Sequence, residues 1–475
     1  MTLEKDLRTY VVIGAGPAGL MAAYTLAKNK KRTILLETDA QVGGLAKTLQ
    51  KGDLKYDLGP HNLHSIYPEI IQQIKNFLNN KIEEHKITSK IYFRGKIVPY
   101  PLTGVKVFTS IPLYLALMAG IDFIFTRLRR RLFLYSSNDD SFKEWIMQRF
   151  GGVLYKIYFQ PYASKVWKID PDNLSKIVAE KRIPILSLFG LIRRIILGGQ
   201  KFHPEDSTQI YNFYPKGGVG MLMKKIESEI LENGSEIICN TKIEEVLLSS
   251  NKVIKIRYKD KDGNEYEKEN VKLISTIPLN SLVSILEGIN SKTVEKSKLL
   301  DYCSMRLFYM VVNKGEILDV PWIYFSDDNV IFNRVSDMAK FSKTLVVDGK
   351  TILCFEISCR INDELWESAD DKIFEKIITV LEKYNLLQHK DVETFFSEYI
   401  NHSYPLFFKG FEKTIESILL EIEKLDGLIT IGRQGLYTYA NIDDAMKMGI
   451  VAAKHISQGN IKMNYKRTFG NYLFY

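Results

Sequence analysis

The feature that most constrains this sequence is an alternation of apolar stretches, a glycine turn and a helix between residues 10 and 37. An apolar strand at 10–13 leads into the turn, a helix-like run occupies 20–28, and a second apolar strand ends at Glu37. In such a turn the first glycine allows a tight bend, the second lets the backbone approach a pyrophosphate, and the third lets the helix pack closely on the strand. The residues of the turn are Gly14, Ala15, Gly16, Pro17, Ala18 and Gly19.

Two further properties of this segment indicate a dinucleotide site. The N-terminus of the helix would offer unpaired N–H groups and a partial positive charge to phosphates. Glu37 falls at the end of the second strand, where a carboxylate accepts hydrogen bonds from ribose hydroxyls. The pattern therefore predicts a dinucleotide-binding βαβ unit.

The residues that follow Glu37 distinguish between dinucleotides. Residues 41–48 read Gln-Val-Gly-Gly-Leu-Ala-Lys-Thr, which is similar to the loop after the acidic residue in FAD-binding amine oxidases. Simple NAD dehydrogenases lack this extension, so the predicted cofactor is FAD. Four residues of this region join the predicted cofactor site: Thr38, Gly43, Gly44 and Leu45.

Composition narrows the class of protein. A chain of 475 residues is expected to form two or three domains. Its net charge of +9 is modest, and no segment resembles a nucleic-acid-binding module, so we expect a small-molecule substrate and no nucleic acid. The charged segment 1–8 leads directly into the first strand, and we expect no signal peptide. The four cysteines lack CxxC spacing and companion histidines, so we expect reduced thiols, no metal site and a cytoplasmic protein.

Residues 105–134 contain a nearly continuous apolar run at 111–125 that is followed by four arginines. A membrane-spanning helix needs about 20 apolar residues, and this shorter run contains Pro112 and Asp122, so we do not expect it to span a membrane. Two alternatives stay open: a helix that lies in a membrane interface with its basic end on anionic lipid, and a helix packed within a substrate domain. Residues 183–197 raise the same question, so peripheral contact with the inner face of a membrane is one alternative for both segments.

Later segments suggest a discontinuous fold. A glycine turn at 215–220, followed by a helix and a strand at 236–240, would add to the dinucleotide sheet, and a strand, turn and helix over 428–455 would return to it. Strand-like runs within 302–360, including one at 344–347, suggest a second, largely antiparallel sheet. The predicted fold class is α/β with an FAD-binding, Rossmann-like domain of the glutathione-reductase type. The predicted domains are 1–66, 209–275 and 425–458 for FAD, 67–208 for a mainly helical substrate and membrane-facing region, and 276–424 for an antiparallel-sheet substrate domain.

Several motifs, taken in order, resemble one family. Residues 59–65 read Gly-Pro-His-Asn-Leu-His-Ser, and residues 162–167 read Tyr-Ala-Ser-Lys-Val-Trp. A Lys-Arg-Ile-Pro segment stands at 181–184, and Gly-Arg at 432–433 precedes Tyr-Ala-Asn-Ile-Asp at 439–443. These stretches are similar to the flavin-side histidine loop, the sugar-site segment and the closing flavin segment of UDP-galactopyranose mutase. They also resemble the related amine-oxidase-like and protoporphyrinogen-oxidase-like FAD enzymes.

The resemblance implies a reaction and a set of site residues. The reaction would use flavin N5 on a nucleotide-linked or lipid-linked sugar, in cell-surface polysaccharide biosynthesis. Tyr437 and Tyr439 alternate in a segment that we expect to be extended, so only one should face the site, and we choose Tyr439. The implied catalytic residues are His61, Tyr162, Trp167, Arg182 and Tyr439. The further implied cofactor residues are Gly59, Pro60, His61, Gly432, Arg433, Asp443 and Met446.

Alternatives remain for the residues and for the function. Loop backbone could satisfy His61, and the two aromatic residues of 162–167 could belong to a core. The family's two diphosphate-binding arginines are replaced by Leu186 and Cys303, and Arg306 and Arg334 are candidates to substitute for them. An oxidoreductase of the amine oxidase or protoporphyrinogen oxidase type is therefore the alternative function. A binding module like the Rab-escort relatives, which keep the fold without flavin chemistry, is the third.

Overall fold

The computed structural model describes residues 9–84, 88–93, 95–100, 112–132, 139–182, 211–458 and 463–473. The predicted features at 105–111 and 183–197, including Leu186, lie outside these residues. The strands are β1 (Thr9–Ile13), β2 (Thr33–Leu36), β3 (Thr48–Lys51), β4 (Leu54–Asp57), β5 (Leu63–Ser65), β6 (Ile82–Glu84), β7 (Ser89–Phe93), β8 (Lys96–Tyr100), β9 (Tyr211–Pro215), β10 (Glu236–Ile238), β11 (Lys242–Ser249), β12 (Lys252–Lys259), β13 (Glu265–Glu269), β14 (Val271–Ser275), β15 (Leu286–Glu287), β16 (Tyr302–Val312), β17 (Trp322–Phe325), β18 (Arg334–Asp337), β19 (Thr351–Cys359), β20 (Val392–Pro405) and β21 (Leu428–Thr430).

The helices are distributed between these strands along the whole described chain. They are α1 (Pro17–Lys28), α2 (Pro68–Phe77), α3 (Leu113–Arg131), α4 (Phe142–Phe150), α5 (Gly152–Leu154), α6 (Gln160–Trp167), α7 (Ile177–Arg182), α8 (Gly220–Glu232), α9 (Leu279–Ser284), α10 (Ser291–Ser297), α11 (Glu364–Glu367), α12 (Asp370–Lys383), α13 (Phe411–Ile422), α14 (Gly432–Gly435), α15 (Ile442–Ser457) and α16 (Tyr465–Phe469).

The chain divides into two compact units. Unit 1 comprises Met1–His85, Ile210–Asp301 and Glu412–Tyr475, and unit 2 comprises Lys86–Gln209 and Tyr302–Phe411. The three-region division drawn from the sequence stays a prediction.

Unit 1 is organised around a parallel sheet in the order β10-β2-β1-β14-β21. Strands β1, β2 and β14 are buried along their whole length, as expected for a sheet covered on both faces. The predicted additions to this sheet are confirmed, since β10 pairs with β2 and β21 pairs with β14, both in parallel. Strands β11, β12 and β13 form an antiparallel meander.

Helix α1 packs against α15 across a glycine contact. Gly449 lies in the middle of α15, and a Cβ at this position would overlap the carbonyl oxygen of Ala18 and crowd the backbone nitrogen of Ala22. The two helices therefore approach backbone to backbone, which positions the first turn of α1 firmly on the sheet.

Unit 2 contains a second sheet in the order β20-β16-β19-β18-β17-β7-β8. All neighbouring pairs are antiparallel except β17 and β7, which run in parallel. One face of the sheet packs against α12, whose apolar residues join the same core as the inward-facing residues of five strands. The members of this core include Phe308, Met310, Phe325, Val335, Phe355, Ile373 and Ile377. The predicted antiparallel sheet is confirmed.

Helix α4 of unit 2 has a capped N-terminus. The hydroxyl of Ser141 accepts the backbone N–H of Glu144, and the Glu144 carboxylate accepts the N–H of Ser141, which completes a capping box.

Two local predictions are wrong. Residues 344–347 do not form a strand, because Ser342 accepts the N–H of Thr344 and starts a short 3₁₀ turn at Lys343–Leu345. The segment after β21 is not extended but forms the short helix α14, and Tyr437 then takes a left-handed φ of 49°. Tyr437 and Tyr439 therefore do not alternate as they would in a strand.

We expect Gly449→Ala to lower the free energy of unfolding by about 2 kcal/mol, because the added methyl group must displace backbone of α1. Thermal and urea denaturation of the purified protein would measure the change. Gly120→Ala is the matched control, since Gly120 also lies in a helix but a Cβ there would meet nothing within 4 Å. The control should be neutral or stabilising by about 0.5–1 kcal/mol. Equal stability of the two variants would contradict this account of the α1–α15 contact.

Candidate cofactor site and substrate face

The carboxyl ends of β1, β2, β14 and β21 lie side by side at one edge of the parallel sheet. Ile13 pairs with Leu36 on one side and with Ser275 on the other, and Ser275 pairs with Thr430. This register brings together the loops that follow these strands. Ligands of doubly wound sheets bind at this edge, beyond the carboxyl ends of the strands.

The three glycines of the first turn are needed for different reasons. Gly14 has a φ of 91°, and a Cβ there would overlap the hydroxyl of Thr276. A Cβ at Gly19 would overlap the carbonyl oxygen of Gly14. Gly16 has an ordinary φ of −70°, and a Cβ there would meet nothing within 4 Å. Open space therefore lies in front of Gly16, where the sequence predicts the pyrophosphate.

The N-terminus of α1 is well suited to bind an anion. Gly16 is the residue before the helix, and Pro17, which has no N–H, is its first residue. Among the described residues, no side chain caps this end of the helix. The N–H groups of its first turn and the positive end of the helix dipole are therefore available to phosphate oxygens.

Glu37 holds the turn together from the end of β2. Its Oε2 accepts the N–H of Ala15 at 2.6 Å, and its Oε1 accepts the N–H of Asp39 at 3.0 Å. Burial raises the pKa of Glu37, while the two N–H donors oppose that shift. Each carboxylate oxygen can accept a further hydrogen bond, so the residue can also bind ribose hydroxyls.

The second glycine loop lies directly on the first. The N–H of Gly43 donates to the carbonyl of Ala15 at 2.8 Å, and a Cβ at Gly44 would lie 3.1 Å from the Cα of Gly16. Leu45 is half-buried beside this loop, whereas Thr38 is exposed. The structure thus brings the two predicted glycine loops together.

The closing segment returns to the same place. Gly432 has a φ of 84°, and a Cβ there would lie 3.2 Å from the Cβ of Ala18. Nε of Arg433 donates to the carbonyl of Ala440 at 2.8 Å, and its guanidinium lies 5.5 Å from the ring centroid of Tyr439. The predicted residues at 432–439 therefore form one bonded group near the first turn of α1.

Asp443 has an acceptor that the protein leaves unused. It lies in the first turn of α15 and is buried, and its Oδ1 has no hydrogen-bond partner among the described residues. Burial raises the pKa of Asp443, and the charge of Asp444 acts in the same direction. Met446 is fully buried one turn further on. An orphaned buried carboxylate oxygen is what a hydroxyl-bearing ligand would satisfy.

The histidine loop is tied to its own backbone. The ring nitrogen Nε2 of the half-buried His61 lies 3.1 Å from the carbonyl oxygen of Leu58. A carbonyl only accepts, so Nε2 carries the proton in this contact. Gly59 has a left-handed φ of 81°, and together with Pro60 it turns the chain sharply before His61.

A buried carboxylate anchors this loop, and sequence reasoning missed it. Asp57, the last residue of β4, is fully buried and accepts from the hydroxyls of Thr48 at 2.6 Å and Tyr214 at 2.5 Å, and from the N–H of Val219 at 3.1 Å. Burial raises the pKa of Asp57 to about 6, against the effect of these donors. Asp57 lies two residues before the histidine motif at 59–65, but the partners of its carboxylate lie up to 162 residues away along the chain.

Unit 2 carries a separate face of aromatic and charged side chains, here called the aromatic face and defined by Tyr162, Trp322, Tyr324, Arg334 and Glu356. Trp322 and Tyr324 lie on the same side of β17, and the register places Arg334 beside Tyr324 and Glu356 beside Arg334. The Arg334 guanidinium lies 5.7 Å and 5.8 Å from the two ring centroids.

An ion pair fixes the charge of the aromatic face. Nη2 of Arg334 donates to Oε1 of Glu356 at 2.8 Å, and Nε donates to the second carboxylate oxygen. Burial by itself would lower the pKa of Arg334. The charge of the Glu356 carboxylate raises it, and the resulting pKa lies well above the ordinary value for arginine. The pair is bidentate, so the guanidinium is held in one orientation.

Arg306 lies on the opposite side of the same sheet. It is in register with Ile357 and lies on the same side of β16 as Phe308, two residues further on. Both of these residues belong to the core under α12. Its guanidinium donates to the carbonyls of Leu365 and Ser368 and pairs with Asp370. This set of partners gives Arg306 a structural role, and Arg334 is the one of the two that lies on the aromatic face.

The predicted residues of 162–182 have different environments. The ring of Tyr162 contacts Tyr324 edge to face at 6.4 Å, whereas the buried Trp167 packs on Tyr404 and Phe407. Trp167 is therefore a core aromatic of unit 2, and its carbonyl accepts the thiol of Cys303. The predicted Arg182 is the last residue of α7, and its side chain lies outside the described part of the chain.

Lys165 lies between these two aromatic residues in the sequence and was not predicted as a site residue. Its amine donates to the carbonyls of Phe325 and Phe332 at 2.8 Å and 3.3 Å. Burial lowers the pKa of Lys165 to about 8. Both carbonyls lie between Tyr324 on β17 and Arg334 on β18, which belong to the aromatic face. Lys165 therefore joins α6 to this face.

Comparisons with known proteins agree with this architecture. A family model described as flavin-containing amine oxidoreductase matches residues 17–306, which is more than half of the chain. The chain belongs to this family. The amine oxidoreductase assignment confirms the predicted α/β fold class and the superfamily inferred from the motifs, and it establishes an FAD-dependent enzyme. The third alternative, a module without flavin chemistry, is excluded.

Curated relatives of this amine oxidoreductase match over short stretches. L-amino acid oxidase Cdc18 of Crotalus durissus cumanensis is 36% identical over 89 residues, 18% of either chain. Protoporphyrinogen oxidase 2 of Arabidopsis thaliana, chloroplastic/mitochondrial, is 25% identical over 170 residues, 34% of this chain and 33% of that protein. The chain therefore matches a third or less of the length of these relatives.

Solved structures match over nearly the whole chain. Reduced UDP-galactopyranose mutase superposes with a TM-score of 0.82 at 22% identity and covers 98% of both chains. A protein of Exiguobacterium sp. 255-15 described as a protoporphyrinogen oxidase superposes with a TM-score of 0.72 at 16% identity, covering 96% of this chain and all of its own. At these identities the similarity establishes a shared fold.

The residues at the sheet edge fit FAD on three independent grounds. The turn leaves open space at Gly16, the N-terminus of α1 is uncapped by any described side chain, and Asp443 offers an orphaned acceptor. Gly14–Gly19 and the N-terminus of α1 would hold the pyrophosphate, and Glu37 would hold a ribose. Bound there, FAD supplies the redox and nucleophilic chemistry of its ring.

We expect Gly16→Val to abolish FAD binding while the protein still folds. The added side chain meets no protein atom at its Cβ and occupies the space predicted for the pyrophosphate. The ratio of flavin absorbance to protein absorbance should fall close to zero, with an unchanged far-ultraviolet circular dichroism spectrum. Gly19→Val is the contrasting variant, because its side chain overlaps Gly14 and should prevent folding. A yellow Gly16→Val protein would place the phosphate site elsewhere.

The raised pKa of Asp57 makes stability depend on pH in a defined direction. Between its ordinary value of 3.8 and its folded value of about 6, the folded state keeps a proton that the unfolded state loses. The stabilisation is complete below the lower value and is lost as pH rises through the upper one. We expect the free energy of unfolding of the native protein to fall by about 2 kcal/mol relative to Asp57→Asn between pH 4 and pH 7. Parallel pH profiles from urea denaturation would contradict the assignment.

Proposed function

We propose that this FAD-dependent enzyme acts through its flavin on a sugar that is carried by a nucleotide or a lipid, in the biosynthesis of a cell-surface polysaccharide. A redox-neutral rearrangement of the UDP-galactopyranose mutase kind is the preferred reaction. The observation that carries the proposal is the aromatic face, where a bidentate Arg334–Glu356 pair lies beside the rings of Trp322 and Tyr324.

This combination of groups suits a sugar ring. Neighbouring hydroxyls of a pyranose can hydrogen-bond to a guanidinium and a carboxylate held in one plane, and an aromatic ring can cover the apolar C–H side of the sugar. Tyr162 adds a third ring, which meets Tyr324 edge to face. A purely apolar substrate would leave the Arg334–Glu356 pair without a function in binding.

The arginines point to recognition of the sugar rather than of a diphosphate. Arg334 is already neutralised by Glu356, and Arg306 lies on the α12 side of the sheet with Asp370. Cys303 stands where the resemblance places a diphosphate-binding arginine, and it lies next to the backbone of Trp167. We infer that the group carried by the sugar is bound with fewer arginine contacts than in the mutases.

Within unit 1 we propose that His61 and Tyr439 face the flavin, and that Arg433 orders Tyr439. The contact of His61 Nε2 with Leu58 fixes the ring and its tautomer. The bond from Arg433 to Ala440 closes the turn that carries Tyr439. When bound and reduced, the flavin supplies a nucleophilic nitrogen, N5, and these residues orient it and exclude water.

We further propose that the enzyme works in the cytoplasm. All four cysteines are in the thiol form, and three of them are buried. Thiols of this kind suit a reducing compartment, where UDP-linked and lipid-linked sugars are available to a cytoplasmic enzyme.

An oxidoreductase of the amine oxidase or protoporphyrinogen oxidase type is the second candidate. The specific observation in its favour is that Arg306 of β16 and Arg334 of β18 are each already paired with an acidic residue. The matched curated relatives are also named as oxidases. In that case the aromatic face would bind a cyclic or aromatic substrate.

Anaerobic incubation of the dithionite-reduced enzyme with a panel of UDP-sugars and polyprenyl-diphosphate sugars tests the first proposal. A sugar isomer that forms only with reduced enzyme, with no net flavin oxidation, supports it. Oxygen uptake and hydrogen peroxide formation with amines, amino acids or protoporphyrinogen, stoichiometric with substrate loss, support the second candidate instead.

We expect His61→Ala to retain FAD and to lower kcat by about 100-fold, because a group at the reacting flavin typically contributes 10²–10⁴-fold. A role limited to the loop would instead lower FAD occupancy and thermal stability together. His61→Gln keeps a donor for Leu58 and separates the two roles: it should restore FAD retention and stability but not kcat. Unchanged kcat in both variants would remove His61 from the reaction.

A further inference from the structure

Helix α3 has two unlike sides. On one side Ala119 and Thr126 are buried, and Oδ2 of Asp122 accepts the N–H of Val153 at 2.8 Å. A Cβ at Gly151 would overlap this same carboxylate, so the chain before α5 packs directly on α3. The spacing of these residues, 119, 122 and 126, defines the side of the helix that faces unit 2.

The other side of α3 carries a continuous row of exposed apolar side chains. They are between 51% and 76% exposed and recur at helical spacing along the whole element. We call this row the apolar stripe, and its members are Leu113, Tyr114, Leu117, Met118, Ile121, Ile124, Phe125, Leu128 and Leu132.

The apolar stripe has no equal elsewhere among the described residues. The other exposed large apolar residues, such as Leu231 on α8 and Leu420 on α13, stand singly or far apart. Single exposed apolar residues need no explanation, whereas a long contiguous row marks an interaction surface. The stripe extends over 19 helical residues, or about 28 Å.

The charges on α3 identify the kind of surface that complements it. Arg127, Arg129 and Arg130 are exposed at the C-terminal end of the helix. The one acidic residue in the helix sequence is Asp122, whose carboxylate is turned to Val153. Arg130 follows Thr126 by one turn and lies on the side that faces unit 2, whereas Arg127 and Arg129 lie at the two edges of the exposed side. The exposed side is therefore apolar along its length and flanked by positive charge at one end, without an acidic group.

Such a helix cannot reach across a bilayer. Among the described residues, no helix combines the length and apolar character that a membrane crossing requires. An amphipathic helix can instead lie parallel to the surface, with its apolar side at the boundary between headgroups and acyl chains. Arginines at its end can then extend toward the lipid phosphates.

We propose that α3 is an interfacial helix that docks this enzyme on an anionic lipid bilayer, with the apolar stripe in the headgroup boundary and Arg127 and Arg129 on lipid phosphates. A lipid surface suits the stripe better than a protein groove, because the hydroxyl of Tyr114 at one end is the single polar group in the stripe and could not fix its register with a partner. The proposal concerns a partner of the protein and does not depend on the reaction that the flavin performs.

Sedimentation of the FAD-loaded protein with sucrose-filled vesicles tests the proposal. The protein should bind vesicles of phosphatidylcholine mixed with phosphatidylglycerol and bind pure phosphatidylcholine weakly. Leu117→Glu with Ile121→Glu should lower the partition coefficient by about tenfold or more, because two charges enter the apolar boundary. Arg127→Gln with Arg129→Gln should remove about tenfold of the preference for the anionic vesicles.

A matched control uses two exposed leucines outside the stripe. Leu231→Glu with Leu420→Glu introduces the same charges at residues that are 49% and 52% exposed, and it should leave vesicle binding unchanged. Flavin content and thermal denaturation of all variants would show that they remain folded. Because the assay needs no substrate, its result is separate from any result on turnover.

Three outcomes would overturn the proposal. The native protein could fail to bind anionic vesicles, or the Leu117/Ile121 variant could bind them as well as the native protein does. Light scattering could also reveal a dimer that this variant converts to a monomer, with no vesicle binding by either form. In that last case a second copy of the chain would cover the apolar stripe.

Discussion

The FAD-binding unit depends on close backbone contacts around the first turn of α1. Gly19 packs on the carbonyl of Gly14, and Gly432 and Gly449 approach the same turn from two other elements, each leaving no room for a larger side chain near Ala18 or Gly14. These contacts fix the position and direction of the helix N-terminus. The N–H groups predicted to bind phosphate are therefore positioned by packing, before any side chain contributes.

Strand alternation in the sheet of unit 2 places the core residues on one side and the aromatic face on the other. On β16, Arg306 points to the side covered by α12, whereas on β18 Arg334 points to the aromatic face. The side on which each arginine lies follows from its neighbours, because residues two apart on a strand share one side of the sheet. Of the two arginines considered as substitutes for the family's diphosphate-binding arginines, only Arg334 therefore lies on the aromatic face.

Local patterns in the sequence predicted the parts of this structure that local physics determines. The glycine turn, helix α1 and the strand β2 that follows it all depend on residues close in sequence. The turn at Lys343–Leu345 was mistaken for a strand because Ser342 competes for the backbone and outweighs the β-branched residues around it. The alternation of Tyr437 and Tyr439 failed because Tyr437 takes a left-handed φ that its residue type disfavours.

The residues that sequence reasoning missed are those whose partners lie far away along the chain. Asp57 meets Tyr214 and Val219, and Glu356 meets Arg334 across two strands; nothing in the spacing of these residues indicates the contact. The predicted catalytic role of Trp167 stays a prediction, and its side chain is buried against Tyr404 and Phe407. Motifs identified which segments matter, and packing decides which side chains within them are accessible.

The predicted cofactor site of unit 1 and the aromatic face of unit 2 offer different groups to a phosphate. At the sheet edge of unit 1 the available donors are backbone N–H groups, while the carboxylates Glu37 and Asp443 are acceptors suited to hydroxyls. On the aromatic face of unit 2 the guanidinium of Arg334 is already committed to Glu356. A dianionic diphosphate there would have to compete with a buried bidentate ion pair, whereas a neutral sugar can bind the pair without separating it. Selectivity on this face should therefore come from the ring of the substrate and the positions of its hydroxyls, and depend less on the charge of the group attached to it.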